Sequence, residues 1–384
     1  MNFRFVKVFV SVLVSCMFLV SCGSDDDDVD TAPSPSTSDD TSGDDVSTPA
    51  ATDPSQCVDA DAAQPGPGSS FVLTFGGGPV EQVMVDVVIP AFTEETGIEV
   101  VYAPNTTAEA MAKVIAQDGN PDVDLVITAE TPYLSALDAG VLAELDIEVL
   151  PAMEDLPEEL ILEGNAGITL GTFSQGISYS TEALEEAGLE PPESILDLFE
   201  DDYAGHVGLW VPPQATGISF VRIVNHLIGG EVDDLTPALE KIAEVRPDAA
   251  EVASSVGPMA AAITDGRVWV WFDSQVVSGI LAGQGLPVAI VFPEGETFHR
   301  SQIGVIPEGA RDGAAACTFL NWILTQAGQE NFVELNFAPV RDSVDAPERH
   351  VPFFAEESQS ETAVLGNPQD PQEVTQMWNE IVGG

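Results

Sequence analysis

The stretch FVLTFGGGPVEQVMVDVVIPAFTEETGIEVVYA, residues 71–103, decides the fold class. Its first five residues are apolar, β-branched or aromatic for the most part, and they predict a strand that ends in three glycines. Apolar side chains then recur at helical spacing from Val80 to Phe92, and IEVVYA predicts a second strand. Pro90 lies inside the predicted helix, where its missing N–H predicts a kink. Strand, helix and strand in this order form the unit of a parallel sheet, so the stretch predicts an α/β protein.

The three glycines at 76–78 raise the possibility of a phosphate-binding loop, but their neighbours exclude a nucleotide site. A dinucleotide fingerprint requires a further glycine where Glu81 stands, and a P-loop requires Gly-Lys-Ser/Thr. The turn instead lies at the carboxyl end of the first strand, the edge at which open α/β sheets bind ligands. Gly76 and Gly77 would let a ligand approach the backbone closely. A turn that only connects two elements is the alternative.

The rest of the chain continues the alternation of apolar strands and amphipathic helices, and it shows no repeat of solenoid length. The roughly 320 residues beyond position 64 are enough to form two lobes of ordinary size.

The first 22 residues predict an export signal. Two basic residues precede an apolar run from Val8 to Val20, which is shorter than the roughly 20 apolar residues that span a bilayer. The run ends in LVSC, residues 19–22, which resembles the lipobox of bacterial lipoproteins and is followed by Gly-Ser and four aspartates. This resemblance implies that Cys22 is lipidated and becomes the mature N-terminus. An ordinary cleaved signal peptide is the alternative.

Residues 23–64 predict a disordered acidic tether, because their Asp, Ser, Thr, Pro, Gly and Ala side chains offer almost nothing to bury. Signal, anchor and tether together predict an extracytoplasmic protein, in the periplasm or on the cell surface. The lipid would be its sole attachment to the bacterial cell membrane.

The charge of the chain excludes a nucleic-acid partner. The formal net charge is −53, and only 11 residues are Lys or Arg, two of them in the signal. Phosphate binding requires clustered cations, and an anionic membrane surface would repel such a chain. The acidity fits either adaptation to saline surroundings or simple solubility, and composition leaves both open.

The cysteines and histidines predict neither a metal site nor a cofactor. Cys57 and Cys317 remain as a pair in an oxidising compartment, so a disulfide between them is one possibility and two free thiols the other. Their spacing is not that of a metal site, and the four histidines are scattered. The sequence also lacks a Gly-x-Ser-x-Gly elbow and a His-Glu-x-x-His helix, so we expect no enzyme activity.

Several longer segments resemble the extracellular substrate-binding proteins of ABC transporters, and most closely their spermidine/putrescine and iron(III) branch. The resemblance rests on LTFGGG (73–78), GNPDVDLVITAE (119–130), LFEDDYAGHVGLWVPPQATG (198–217) and DGRVWVWFDSQ (265–275), which occur in the order of that family. It implies a monomeric receptor that captures a small-molecule solute and delivers it to an ABC-transporter permease.

The fold implied by the resemblance has the type II periplasmic-binding-protein architecture, in which two α/β lobes close on the ligand about two crossover hinge strands. The hinge segments would be TLGTFS (169–174) and VWVWF (268–272). The implied boundaries are 65–172 and 272–300 for lobe 1, and 173–271 and 301–384 for lobe 2.

The resemblance also implies a set of ligand-binding residues near the crossovers, where Gln175 also lies. They are Phe75, Gly76, Gly77, Thr128, Glu130, Ser174, Thr216, Trp271, Phe272 and Asp273. Aromatic faces with the carboxylates of Glu130 and Asp273 suit a cation, so a polyamine or another organic cation is the predicted solute. The alternative for Trp271 and Phe272 is a place in the core of a strand.

Other solutes remain open. Iron(III) is disfavoured because iron binders of this branch use adjacent tyrosines, whereas the four tyrosines here are isolated. A thiamine-like compound, a phosphonate, or another anion bound by the glycine turn with Arg300 are alternatives. A surface lipoprotein without a transport role is a further one.

Overall fold

A computed structural model describes residues 53–355 and 371–383 of the chain. The predicted signal peptide with its lipidation site Cys22, and most of the predicted tether, lie outside the described residues.

Within the described residues, nine strands form one mixed sheet, in the order β2-β1-β3-β9-β4-β7-β5-β6, with β8 paired to β4. The pairs β1–β2, β1–β3, β5–β6 and β5–β7 are parallel, whereas β9 and β4 pair antiparallel with their neighbours. The predicted α/β class is confirmed. The strands are β1 (Ser70–Phe75), β2 (Glu99–Pro104), β3 (Leu125–Ala129), β4 (Ile168–Ser180), β5 (Val207–Trp210), β6 (Glu251–Ala253), β7 (Val270–Ser274), β8 (Val288–Val291) and β9 (Phe298–Val305).

Helices pack on both faces of the sheet. The first runs on from α1 through a π-helical stretch, Met84–Val88, into α2, and Pro90 is the second residue after that stretch. The irregularity therefore lies just before the proline whose missing N–H predicts it. The helices are α1 (Pro79–Val83), α2 (Ile89–Thr96), α3 (Thr107–Gln117), α4 (Glu130–Asp138), α5 (Thr181–Ala187), α6 (Ala215–Leu227), α7 (Thr236–Val245), α8 (Val256–Thr264), α9 (Gln275–Gly283), α10 (Gly313–Ile323), α11 (Gln326–Phe332) and α12 (Pro371–Ile381).

The two largest hydrophobic clusters of the described residues lie on the two halves of the sheet, which form two lobes as in the type II architecture. In lobe 1, Phe92 makes edge contacts with Phe71 and Phe319, at ring-centroid distances of 6.2 and 4.9 Å. In lobe 2, Phe220 of α6 packs on Phe272 of β7 at a ring-centroid distance of 5.6 Å, and side chains of α7 and α12 belong to the same core. We use lobe 1 for β1–β3, α1–α4, α10 and α11, and lobe 2 for β5–β7, α5–α8 and α12.

This division differs from the predicted boundaries in the C-terminal part of the chain. The prediction assigns 301–384 to lobe 2, but α10 and α11 contribute Phe319, Leu320 and Phe332 to the core of lobe 1. Only α12 packs in lobe 2, through Val374 and Trp378. The sequence pattern of α10 is compatible with packing in either core. Its contacts with β1 place it in lobe 1.

The strands that pass between the lobes are β4 and β9. β4 pairs with β9 through residues 168–175 and with β7 through 175–179, so it runs from one lobe into the other. The predicted hinge segment 169–174 lies in β4. The other predicted segment, 268–272, enters β7, which lies inside lobe 2 beside β5; β9 holds the second crossover position instead.

The start of the described chain is packed rather than disordered. Ser55 and Cys57 are buried, and the Cys57 carbonyl oxygen accepts a hydrogen bond from the Asp146 N–H. Cys57 forms a disulfide with Cys317 on α10, with a Cα–Cα distance of 5.7 Å. Ser55 and Cys57, which the prediction assigns to the tether, are therefore part of the folded structure. No helix in residues 53–355 or 371–383 is long and apolar enough to cross a membrane.

Candidate functional site

A cleft of about 560 Å³ lies between the lobes, at the carboxyl ends of β1, β3, β6 and β7. The crossover strands β4 and β9 form its base, through Phe173, Gln175 and Gln302. This is the edge at which open α/β sheets bind ligands. On the lobe-1 side the wall consists of residues 75–78, 80, 104–109 and 129. On the lobe-2 side it consists of residues 213–216 and 254–257. Residues 274, 276 and 277, at the start of α9, complete it.

The floor of the cleft is aromatic. Phe337 lies between Phe75 and Phe173, with ring-centroid distances of 6.4 and 5.9 Å. Phenyl rings in such a place bind apolar groups by contact and ammonium groups by cation–π attraction.

The glycine turn of lobe 1 is held in place by a tyrosine. The Tyr102 hydroxyl on β2 donates a hydrogen bond of 2.5 Å to the Gly76 carbonyl oxygen. Burial raises the pKa of Tyr102 well above its usual range, and the nearby Glu81 carboxylate adds to the shift, so the hydroxyl stays a donor. The N–H of Gly77 points opposite to the Gly76 carbonyl in the trans peptide, which is away from Tyr102.

Three further helices begin at the cleft, namely α6 and α8 in lobe 2 and α9, whose Val276 and Ile280 pack in the lobe-1 core, and their first turns differ in how they are capped. The Gln214 side chain accepts hydrogen bonds from the N–H groups of Thr216 and Gly217, at 2.5 and 3.1 Å, and so caps α6. Ser274 caps α9 through the Val277 N–H. Ser255 precedes α8 and makes no such side-chain hydrogen bond. The first N–H groups of α8 are therefore the ones without a side-chain cap.

The two walls also differ in charge. The helices of lobe 1 that start beside the cleft each carry a glutamate in the first turn, namely Glu81, Glu109 and Glu130. The first turns of α6, α8 and α9 contain no acidic residue. The positive end of the helix dipole is thus offset at the starts of α1, α3 and α4 and remains effective at the starts of α6, α8 and α9.

An arginine on a crossover strand contacts both lobes. Arg300 Nη1 lies 3.1 Å from Glu130 Oε2 on α4, and Nη2 donates a hydrogen bond of 2.9 Å to Ser219 Oγ on α6. A small side pocket that shares Phe173 and Gln175 with the cleft reaches Arg300. Burial, together with the charge of Arg300, lowers the pKa of the neighbouring Arg222 to about 10.

Four of the predicted ligand-binding residues line the cleft: Phe75, Gly76, Gly77 and Thr216. The glycine turn and the start of α6 bring them together from the two lobes. Their contact with a solute stays a prediction.

Three others do not line the cleft. Thr128 is fully buried, and its carbonyl oxygen accepts a hydrogen bond of 2.7 Å from Gln302 Nε2. Ser174 Oγ lies 3.1 Å from His299 Nδ1, and burial lowers the pKa of that histidine. The third, Glu130, is engaged by Arg300.

The remaining three, Trp271, Phe272 and Asp273, lie in the interior of β7. Trp271 and Phe272 are buried core residues, which is the alternative that their sequence pattern leaves open. The Asp273 carboxylate accepts hydrogen bonds from Trp271 Nε1 at 2.9 Å and from the Ser274 N–H at 2.7 Å. This geometry contradicts the prediction that Asp273 faces a solute cation, because its oxygens are enclosed by donors from the protein.

The segment that the sequence does not single out is VASSVG, residues 252–257. It contains the end of β6 and the start of α8, and residues 254–257 line the cleft. Two serines before a helix are an N-terminal signal. The sequence does not show that these serines face the same cleft as the glycine turn, because β6 and β1 belong to different lobes and are far apart in the sheet order.

A larger cavity, of about 810 Å³, lies between α3, α4 and α12. Apolar side chains of α3, such as Met111 and Ile115, form one wall and amides of α12, such as Gln376 and Asn379, the other. This cavity shares Ala108, Glu109 and Pro213 with the cleft but is lined by no residue of the crossover strands, so we place the solute site in the cleft. Within the described part of the chain, no group of three or more His, Cys, Asp and Glu side chains could hold a metal ion.

Comparison with known proteins identifies the family of the chain. Residues 88–360 match the bacterial extracellular solute-binding protein family. The chain belongs to this family. Solute-binding proteins of this kind serve ABC importers, so the chain is an extracytoplasmic receptor that delivers a small solute to a permease.

Individual members of the solute-binding family are distant relatives. A periplasmic protein of Salmonella typhimurium, whose name proposes 2-aminoethylphosphonate binding, is 21% identical over 267 residues, 68% of this chain and 75% of that protein. AfuA of Actinobacillus pleuropneumoniae, solved with fructose-6-phosphate, matches with a TM-score of 0.67 and 18% identity, covering 82% of this chain and 99% of AfuA. Iron-bound HitA of Pseudomonas aeruginosa matches with a TM-score of 0.63 and 16% identity, covering 82% and 99%. The solved structures confirm the two-lobe fold of the receptor.

Proposed function

We propose that this receptor takes a small solute with an anionic group, and that the start of α8 binds that group. The observation that carries the proposal is the uncapped first turn of α8, with Ser254, Ser255 and Gly257 on the wall of the cleft. Free N–H groups at the positive end of a helix dipole attract phosphate, phosphonate or carboxylate groups. Two serine hydroxyls beside them are additional donors.

The charge distribution around the cleft supports an anion at this wall. The chain has 64 Asp and Glu residues, yet the first turns of α6, α8 and α9 contain none. An acidic side chain there would interact favourably with the positive end of each helix dipole. Because none is present, the positive ends are free to attract an anionic solute. The relatives are consistent with this, because the ligands that they are named for or solved with include a phosphonate and a sugar phosphate.

An organic cation, such as a polyamine, is the second candidate. Glu81 and Glu109 on lobe 1 and the phenyl rings of the floor favour it. The cation hypothesis no longer has Asp273 as a partner for the solute, because this carboxylate is buried behind the cleft. We therefore place the anion first.

A pair of substitutions at one glycine separates the two candidates. A side chain at Gly257 meets no atom within 4 Å at its Cβ position, so both Gly257→Glu and Gly257→Gln fit. The glutamate places a negative charge in the first turn of α8, which repels an anionic solute but favours the helix itself. We expect Gly257→Glu to bind 2-aminoethylphosphonate about 10-fold or more weakly than Gly257→Gln, a difference of ~1.4 kcal/mol, without loss of melting temperature.

Isothermal titration calorimetry on both variants, with 2-aminoethylphosphonate, inorganic phosphate, fructose-6-phosphate and spermidine, measures this difference. If wild type binds spermidine and none of the anions, and Gly257→Glu binds spermidine more tightly, the receptor takes a cation and the proposal fails.

We further propose that the receptor is monomeric and is anchored through a lipid on Cys22. The LVSC segment at 19–22 and the acidic stretch after it support the anchor. Growth with a labelled fatty acid should label the wild-type protein and leave Cys22→Ala unlabelled. Equal labelling of both proteins would show that the lipid, if any, is attached elsewhere.

A further inference from the structure

Gln175 occupies the point at which the two lobes meet. On β4 it pairs with Ser274 of β7 on one side and with Phe298 of β9 on the other. Its side chain is only 3% exposed and lines both the cleft and the side pocket that reaches Arg300. A group bound at Gln175 is therefore in contact with the hinge of the receptor.

The side-chain carbonyl of Gln175 is an acceptor that the protein does not use. Its Oε1 atom is buried and has no hydrogen-bond partner among residues 53–355 and 371–383. Gln302, the corresponding residue type on the other crossover strand, also lines the cleft but donates through Nε2 to the Thr128 carbonyl oxygen at 2.7 Å. A buried carbonyl without a partner destabilises a fold, and such groups call for a physical reason.

The surroundings of Gln175 suit one kind of donor. Phe173 precedes it by two residues on the same face of β4, and Phe75 and Phe337 complete the aromatic floor. An ammonium group has N–H donors for the Gln175 carbonyl and a positive charge for the faces of the rings, whereas a neutral hydroxyl gains little from the rings.

We infer that Gln175 is a specificity-determining residue that recognises an ammonium group of the solute. Resting on the proposed function, this makes the solute zwitterionic, with its anionic group at the start of α8 and its ammonium group at Gln175. The two ends of one small molecule would then contact lobe 2 and the crossover strands together, which is the contact that hinge closure needs.

The test compares two probes that differ only in the donor. 2-Aminoethylphosphonate carries the ammonium group, and ethylphosphonate has the same anion without it. We expect wild type to bind the aminophosphonate at least 10-fold more tightly than ethylphosphonate. In Gln175→Met, which keeps the size of the side chain and removes the acceptor, this preference should fall to about 2-fold or less, while the affinity for ethylphosphonate stays unchanged.

Gln302→Met is the matched control, because it removes an amide of the same size from the same cleft. It leaves the Thr128 carbonyl oxygen without its partner, so it should lower the melting temperature and preserve the preference between the two probes. Gln175→Met removes an unused acceptor, so its melting temperature should equal or exceed that of wild type. The two glutamines are thus expected to change stability and selectivity in opposite ways.

Two results would overturn the inference while leaving the proposed function intact: equal affinity of wild type for both probes, or a preference that survives in Gln175→Met. Binding of neither phosphonate by wild type would also overturn the inference, and the proposed function would fail with it only if inorganic phosphate and fructose-6-phosphate do not bind either.

Discussion

Trp271 and Asp273 lie two residues apart on β7, and the indole Nε1 of the first donates a hydrogen bond of 2.9 Å to the carboxylate of the second. Both side chains are completely buried. Alternate residues of a strand share a face, so the pair points to the same side of the sheet. The carboxylate that the sequence offers as a cation partner therefore belongs to the interior of the fold.

The burial of Asp273 should make the stability of the receptor depend on pH. Burial raises the pKa of its carboxyl from 3.8 to about 7, against the opposing effect of hydrogen bonds from the Ser274 N–H and Trp271 Nε1. The folded protein thus keeps a proton that the unfolded chain releases near pH 3.8. The free energy of unfolding should fall as the pH rises from about 4 to 7, by up to ~1.4 kcal/mol per pH unit from this one group.

Asp273→Asn removes the titrating group and should remove this slope. Urea denaturation of wild type and variant between pH 4 and 8 measures it as the difference between the two stability profiles. The variant itself loses an acceptor oxygen and should be ~1–3 kcal/mol less stable at low pH. Parallel profiles across the range would show that Asp273 does not titrate there.

The ion pair between Glu130 and Arg300 should contribute little to stability. The Glu130 side chain is 52% exposed and that of Arg300 is 13% exposed, and ion pairs of this kind typically contribute ~0–1 kcal/mol. Glu130→Gln should fall in that range. Arg300→Met also removes the partner of the buried Ser219 hydroxyl, so it should cost more, about 1–3 kcal/mol.

Glu130→Gln also tests the role that the sequence suggests for this residue. If Glu130 serves only as the partner of Arg300, calorimetry should show 2-aminoethylphosphonate affinity within about 3-fold of wild type. A loss of 10-fold or more would place the carboxylate in direct contact with the ammonium group of the solute.

Local pattern was enough to predict the elements of lobe 1. The residues of β1, the glycine turn and β2 are contiguous, and strand and helix periods differ clearly within 71–103. The crossover at 169–174 was likewise predictable through the resemblance, as part of the long strand β4. A disulfide between Cys57 and Cys317 was open on sequence grounds and is settled by packing of the N-terminal segment on α10.

The site was less predictable because its chemistry depends on which elements meet. The segment VWVWF fits a hinge strand and an interior strand equally well, because strands of either kind carry apolar side chains on both faces. The structure places it in β7, and this turns Asp273 away from the cleft. The roles of the α8 start and of the unpaired Gln175 acceptor could not be predicted from the sequence. They depend on the sheet order, which places the ends of β6 and β4 at the same cleft.

The disulfide should be a main source of stability for lobe 1. It joins residues 260 positions apart, and closing a loop of this length restricts the unfolded chain strongly. Replacement of Cys57 and Cys317 together by Ala should lower the free energy of unfolding by about 2–5 kcal/mol. Urea denaturation checks the value, and mass spectrometry after alkylation confirms that the wild-type cysteines are bonded. A variant as stable as wild type would contradict this role.

The hydroxyl of Tyr102 should matter for solute affinity more than for stability. It fixes the Gly76 carbonyl, and thereby the direction of the Gly77 N–H, on the lobe-1 wall of the cleft. Tyr102→Phe removes this one hydrogen bond, worth about 0.5–1.5 kcal/mol, and frees the turn. We expect 2-aminoethylphosphonate to bind about 2- to 10-fold more weakly.

Tyr179→Phe is the control, because Tyr179 packs against the lobe-2 core and does not line the cleft. Calorimetry of both variants, after thermal denaturation shows that they are folded, decides the point: equal losses of affinity would mean that the glycine turn does not depend on the Tyr102 hydroxyl.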